Sequence, residues 1–132
     1  MGYLLTFSTL RAVNAQRARR WHEGFPDAAI DEPSDWTGAD WSNAAAGEMG
    51  EAANVVKKLR RLETGIRQAE QGSEPDDAYR AMLLQKLAKE IGDTVIYLDL
   101  LATFYGLQME DCVTGAFNGV SVREQFPERL PT

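Results

Sequence analysis

Cysteine and histidine are nearly absent, and each scarcity closes off a class of chemistry. Cys112 is the only cysteine, so no disulfide forms within the chain and a reducing compartment is the simpler setting. With no His or Asp arranged around it as a triad, Cys112 reads as a core thiol. His22 is the only histidine, which argues against the paired Glu-x-x-His ligands of a di-iron protein and the usual donors of zinc. Beside Trp21 it reads as a surface or loop-packing residue rather than a general base. No G-x-x-x-x-G-K-[ST] or G-x-G-x-x-G run occurs, so a phosphate-cradling loop is unsupported. No apolar run reaches the roughly 18 residues of a membrane span, and the first residues have no basic region followed by a cleavage-like site. Internal repeats and low-complexity tracts are missing too. The expectation is a soluble cytoplasmic protein with no membrane partner.

What the chain does have is charge and helical periodicity. Its 132 residues include 14 basic and 20 acidic ones, for a net charge of −6, which disfavours wrapping nucleic acid but leaves room for an anionic ligand where a metal inverts the local field. The length suits one helical domain over 1–132, with a loop at 24–42 and a longer connection around 63–78. Residues 1–7 form a strand-like arm or simply the approach to a helix. Ser8 or Thr9 can cap that first helix. Its helical spacing runs through Leu10, Val13, Arg17 and Trp21, while Arg11, Arg17, Arg19 and Arg20 give a basic face, solvated or in contact with phosphate or a partner. Pro26, Pro33 and Gly38 mark the loop, a candidate lid by its length, and Trp36 and Trp41 should pack back on the body or line a pocket.

A second helix should start near Ser42 or Asn43 and run to about Leu62, with Ala45, Met49, Ala52, Ala53, Val56 and Leu59 as its apolar face. Glu48, Glu51, Val55 and Lys58 fall on the neighbouring arc. Gly47, Gly50 and Ala53 form a slim stripe that would admit close approach of another helix or of metal-bound phosphate, with close packing preferred. Gly72-Ser73-Glu74-Pro75 then breaks the chain before a third helix from about Asp76 to Tyr105. Its buried stripe is expected to be Leu84, Leu87, Ile91, Val95, Leu98 and Ala102, with Ile96 and Leu100 pointing elsewhere. A helix apolar on nearly all sides needs more neighbours than a small monomer provides, and a second copy supplies them. Asp99 lies in this passage and needs Arg, Lys or a backbone donor, in its own chain or across such an interface. Gly106 ends the helix, and a short fourth helix begins near Gln108. Pro127 and Pro131 belong to a terminal turn and extended segment. The fold class is all-α with four helices.

Two short acidic patterns carry the chemistry: Glu48-Met49-Gly50-Glu51 and Glu90-Ile91-Gly92-Asp93. Carboxylates three residues apart on a helix emerge about 60° apart, so each pair shares a side. If the two helices pack, four acids meet. At an effective dielectric of 20, two such charges about 4 Å apart repel by roughly 4 kcal/mol, so the cluster needs protons, basic partners or a cation. Carboxylate oxygens suit magnesium, or manganese as its substitute, and either ion suits phosphate. Exposed helices often carry acids at this spacing with no ligand at all. The pairing of two such motifs beside apolar stripes points instead to a metal-dependent enzyme acting on a phosphorylated small molecule. Lys58 shares the carboxylate side, whereas Lys57 is turned about 100° away. Asn118 suits a capping or turn role, and the tryptophans suit packing or an aromatic wall.

With both motifs in place, the chain resembles the MazG-like branch of all-alpha nucleoside triphosphate pyrophosphohydrolases, in its compact, phage-associated form. The matching stretches are Ala46–Lys58 and Glu90–Tyr97, with Asn14, Arg17, Trp21 and Phe117–Ser121 as further points of likeness. The resemblance implies a four-helix bundle assembled as a dimer or dimer of dimers. It also implies hydrolysis of (deoxy)nucleoside triphosphates to monophosphate and pyrophosphate, with magnesium held by Glu48, Glu51, Glu90 and Asp93. Glu48 or Glu51 would orient the attacking water. Lys58 and Asn118 would touch phosphate or ribose, with Asn54 and Trp21 as further pocket residues. The chain departs from the family where Gly47 replaces a common first Glu, and in the longer stretch between Glu51 and Glu90.

Two other readings remain. One is a noncatalytic helical interaction or regulatory protein; the other is a nucleic-acid binder using the Arg11–Arg20 surface.

Overall fold

Helix boundaries in this chain are set by local hydrogen bonding that can be followed residue by residue. The computed structural model describes residues 4–22 and 35–132. Its four α-helices are α1 (Phe7–His22), α2 (Gly38–Glu63), α3 (Asp76–Phe104) and α4 (Met109–Arg123), with one 3-10 turn, Ala69–Gln71, between α2 and α3. The described residues include no strand. The class is all-α with four helices, as expected.

The start of α1 uses a reciprocal cap, and that of α2 a one-way cap from the third helical residue back to the residue before the helix. The Thr6 amide donates to Thr9 Oγ1 at 3.0 Å, and the Thr9 amide donates to Thr6 Oγ1 at 3.1 Å. Thr6 is therefore the cap, in place of Ser8 or Thr9. At α2 the amide and hydroxyl of Thr37 donate to Asp40 Oδ2 at 2.7 and 3.0 Å. This starts the helix at Gly38, ahead of the expected Ser42, so the loop predicted for 24–42 loses its last residues to α2. Residues 24–34 of the candidate lid and the side chain of His22 lie outside the described residues. Gly38 has a steric reason too, because a Cβ there would overlap the Tyr105 ring.

The ends of α2, α3 and α4 share one device, a residue with positive φ whose amide and successor reach back to orphaned carbonyls. Gly65 (φ 79°) donates to Leu62 O at 3.1 Å and Ile66 to Arg61 O at 2.9 Å, which stops α2 at Glu63. Gly106 (φ 70°) and Leu107 do the same to Thr103 O and Ala102 O at 3.1 and 2.8 Å, so Gly106 terminates α3 as expected. α4 continues through Gly115 and Gly119, then closes at Gln125 in the same way.

The chain divides into two compact units, Met1–Trp41 with Leu98–Thr132, and Ser42–Tyr97. In the second, Val55, Leu59, Tyr79 and Leu83 form the core, with Leu62 and Leu87 packed against it. This corrects the expected stripes. On α2 the inward line runs Ala45, Glu48, Ala52, Val55, Leu59, while Met49 and Val56 are about half exposed; on α3 it runs Tyr79, Leu83, Leu87, Glu90, leaving Leu84 and Ile91 outside. Periodicity cannot choose between adjacent stripes on helices that are apolar on several sides. The contacts of Tyr79 and Leu83 make that choice, and both inward lines carry a glutamate.

In the first unit α1 turns Asn14, Ala18 and Arg19 inward with Leu10 half-buried, and leaves Val13, Arg17 and Trp21 exposed, so the inward line is turned about 100° from the expected spacing. Asn14 Nδ2 donates to the buried Asp99 Oδ2 at 2.9 Å. The donor that Asp99 required is thus an amide of its own chain, not Arg, Lys or backbone. Burial of Arg19 and a hydrogen bond from Arg11 to Leu107 O remove two cations from the supposed solvated face. Trp41 is buried and Trp36 half-buried, their ring centroids 4.4 Å apart, so both pack as expected. Cys112 is exposed on α4 rather than in a core.

Candidate metal centre

Three carboxylates converge in the unit Ser42–Tyr97. Glu48 and Glu51 come from adjacent turns of α2 and Glu90 from α3, and one oxygen of each lies within 4.8 Å of the others. Glu48 and Glu90 are half-buried because each occupies its helix's inward line, whereas Glu51 is exposed. The Oε2 atoms of Glu48 and Glu90 are both buried without a hydrogen-bond partner among the described residues. Buried acceptors left in that state are costly.

The electrostatics follow from this crowding. The Glu48 carboxyl is pushed up to about 7, first by the facing Glu90 carboxylate, then by burial, then by the charges of Glu90, Glu51 and Asp93. With both groups ionised, neither buried oxygen has a donor. A proton on Glu48 can bridge to Glu90, and a divalent cation can satisfy both at once. The donor set is all oxygen and fits magnesium or manganese better than a thiophilic ion. These residues form a possible metal-binding site.

Asp93, the fourth expected acid, stands outside the triad. Its Oδ2 accepts a hydrogen bond from Lys89 Nζ at 2.6 Å, one turn back on α3. It still acts on Glu48 through its charge.

A cavity of about 420 Å³ adjoins the triad, and its lining includes Glu51, Glu90, Asn54, Lys58 and Lys86. Lys58 and Asn54 were expected here. Lys86 was not, although its position four residues before Glu90 puts it on the same side of α3. Lys58 Nζ also pairs with Glu70 at 3.0 Å. Gly47 and Gly50 line this cavity, and a Cβ at either would meet nothing within 4 Å. The expected close packing along that stripe is therefore not found; the glycines leave open space beside the acids.

Two further candidates belong to the other unit. Asn118 spends its amide on the chain terminus: Nδ2 donates to Leu130 O at 3.0 Å and Oδ1 accepts from Leu130 N at 2.8 Å. Trp21 is an exposed indole on α1.

Among known proteins, no family model, no curated protein and no solved structure matches this chain.

Proposed function

We propose that the protein is a metal-dependent nucleoside triphosphate pyrophosphohydrolase of the MazG-like, compact phage type, acting in the cytoplasm. The observation that carries this reading is the convergence of Glu48, Glu51 and Glu90, drawn from two separated motifs, on one set of unsatisfied oxygens. Glu48, Glu51 and Glu90, joined by Asp93, would hold magnesium, with manganese as a substitute. When bound, the ion neutralises phosphate charge and polarises the phosphorus. Lys58 and Lys86 bring positive charge to the same cavity for the phosphate chain, and Asn54 offers an amide for orientation. A carboxylate oxygen of Glu48 or Glu51 takes the proton of the attacking water. Attack at the α-phosphorus breaks the α–β bond and yields nucleoside monophosphate and pyrophosphate. From the resemblance alone, Trp21 and, on releasing Leu130, Asn118 are proposed contacts to ribose, phosphate or base.

A homodimer or homotetramer is part of this proposal. Met49 and Val56 on α2, and Leu84 and Ile91 on α3, are large apolar side chains left exposed, and a second copy would cover them. The same face supports a second reading, a noncatalytic helical interaction protein. No helix among the described residues is long and apolar enough to cross a membrane.

The test is pyrophosphate release from each of the standard ribo- and deoxyribonucleoside triphosphates, assayed singly with magnesium. Release that stops in Glu51→Gln supports the enzyme. Folded, metal-loaded protein that releases none from any of them leaves the interaction reading in possession.

A further inference from the structure

The unit Ser42–Tyr97 holds another cavity of about 420 Å³, where the last turns of α2 meet the segment 66–70. Its lining includes Lys57, Lys58, Arg61 and Arg67 against a single carboxylate, Glu70. That is a local excess of positive charge in a chain whose net charge is −6. Glu70 is already engaged, accepting from the Tyr79 hydroxyl at 2.6 Å and from Lys58 Nζ at 3.0 Å, and those two donors hold its carboxyl below the usual range.

The other cations differ in how they are held. Arg67 is fixed in place, donating to the carbonyls of Gly72 and Glu74 with Asp76 at 3.8 Å. Lys57 and Arg61 lie one turn apart on α2, exposed, and neither side chain has an ion pair or hydrogen bond among the described residues. Cations in a last helical turn commonly offset the unpaired carbonyls there. In this helix the carbonyls of Lys58, Arg60, Arg61 and Leu62 already accept from other groups. Gln68 Nε2 donates to Lys58 O at 2.9 Å, Thr64 to Arg60 O at 3.1 Å, Ile66 to Arg61 O at 2.9 Å and Gly65 to Leu62 O at 3.1 Å. Helix capping therefore does not account for Lys57 and Arg61, whereas an anion would.

We propose that Lys57, Arg61 and Arg67 form a binding site for a polyphosphate anion, separate from the acidic triad. The two free cations give the charge and the anchored guanidinium gives a fixed point for a phosphoryl oxygen. Lys58 lines this cavity and the one beside the triad, and its assignment to the triad's cavity leaves the other three as the anion's contacts. The site stands without the reaction proposed above, since it needs neither metal nor the acids.

The probes are inorganic pyrophosphate and adenosine diphosphate, titrated by calorimetry into the full chain in excess EDTA, where the acidic triad repels phosphate. Saturable binding is expected, weakened about tenfold by Lys57→Gln and again by Arg61→Gln, the usual size of one lost charge-assisted hydrogen bond. Both positions are exposed, so circular dichroism should show unchanged folding. Tighter binding of the diphosphate nucleotide identifies a nucleotide-borne phosphate as ligand, and equal or tighter pyrophosphate identifies the free anion. No saturable binding of either up to millimolar concentration, or binding unchanged in the double variant, overturns the site.

Discussion

Glu48 and Glu90 face each other from α2 and α3, each with a buried carboxylate oxygen that has no donor among the described residues. In the metal-free protein this pair makes stability fall as pH rises. Glu48 titrates near 7 when folded, against 4.5 as its ordinary value. Between those values the folded state keeps a proton that the unfolded chain has lost, so each step up in pH favours unfolding. A melting temperature measured in EDTA should decline from pH 4.5 to about 7 and then level off with respect to this group. Glu90→Gln removes the largest cause and supplies a donor, so it should flatten the decline and raise the melting temperature at pH 7.5. A Glu90→Gln protein that melts lower than the parent in EDTA at that pH would contradict the crowding argument.

Magnesium should reverse the same penalty. Added at neutral pH, it should raise the melting temperature of the parent protein, as any ligand of the folded state does. Glu48→Gln and Glu90→Gln should abolish that rise. Asp93 lies outside the triad on Lys89, so Asp93→Asn should weaken magnesium only about tenfold, the effect typical of an outer contributor. Calorimetric titration of the three variants gives the ranking. A loss in Asp93→Asn equal to that in Glu90→Gln would show that Asp93 leaves Lys89 and joins the ion directly.

How far the site could be read in advance depends on range. Glu48 with Glu51, and Glu90 with Asp93, are visible because three-residue spacing alone puts carboxylates on one side of a helix. That Glu90 enters the triad while Asp93 turns to Lys89 was not, since an i,i+4 pair competes with a cluster and spacing does not say which wins. The stops at Gly65 and Gly106 follow from residues that tolerate positive φ. The start of α2 is not legible because Gly38 reads as turn punctuation, while the Thr37–Asp40 cap beside it fixes a helix. Inward faces were the weakest reading: α2 and α3 each offer two apolar lines, and only the packing of Tyr79 and Leu83 selects the one that carries a glutamate. The partner of Asp99 lies on α1, far off in sequence, where no local pattern points to it.

That partner gives a stability prediction. Asn14 is 2% and Asp99 1% exposed, and they are joined at 2.9 Å. Asn14→Ala leaves a buried carboxylate short of a donor and should cost about 2–4 kcal/mol by urea denaturation. Asn14 makes other interactions as well, so the single variant overstates the pair. The cycle with Asp99→Asn isolates it. The double variant should be more stable than Asn14→Ala alone, because the stranded charge is gone. A double variant no better than the single would show that Asp99 does not depend on Asn14.

Gln125 closes α4 in a conformation that the other two helix stops give to glycine. Its φ of 59° is the only positive value among the described non-glycine residues, and its amide and that of Phe126 still reach Val122 O and Ser121 O at 3.2 and 2.8 Å. A side chain in that region costs roughly 1–2 kcal/mol, of which glycine recovers the steric part and returns some as unfolded-chain entropy. Gln125→Gly should therefore stabilise the protein by about 0.5–1 kcal/mol, seen as a higher urea midpoint with an unchanged slope. Gln125→Ala keeps the Cβ and should give no such gain. Equal stabilisation by alanine and glycine would place the effect in the lost amide side chain rather than in the backbone.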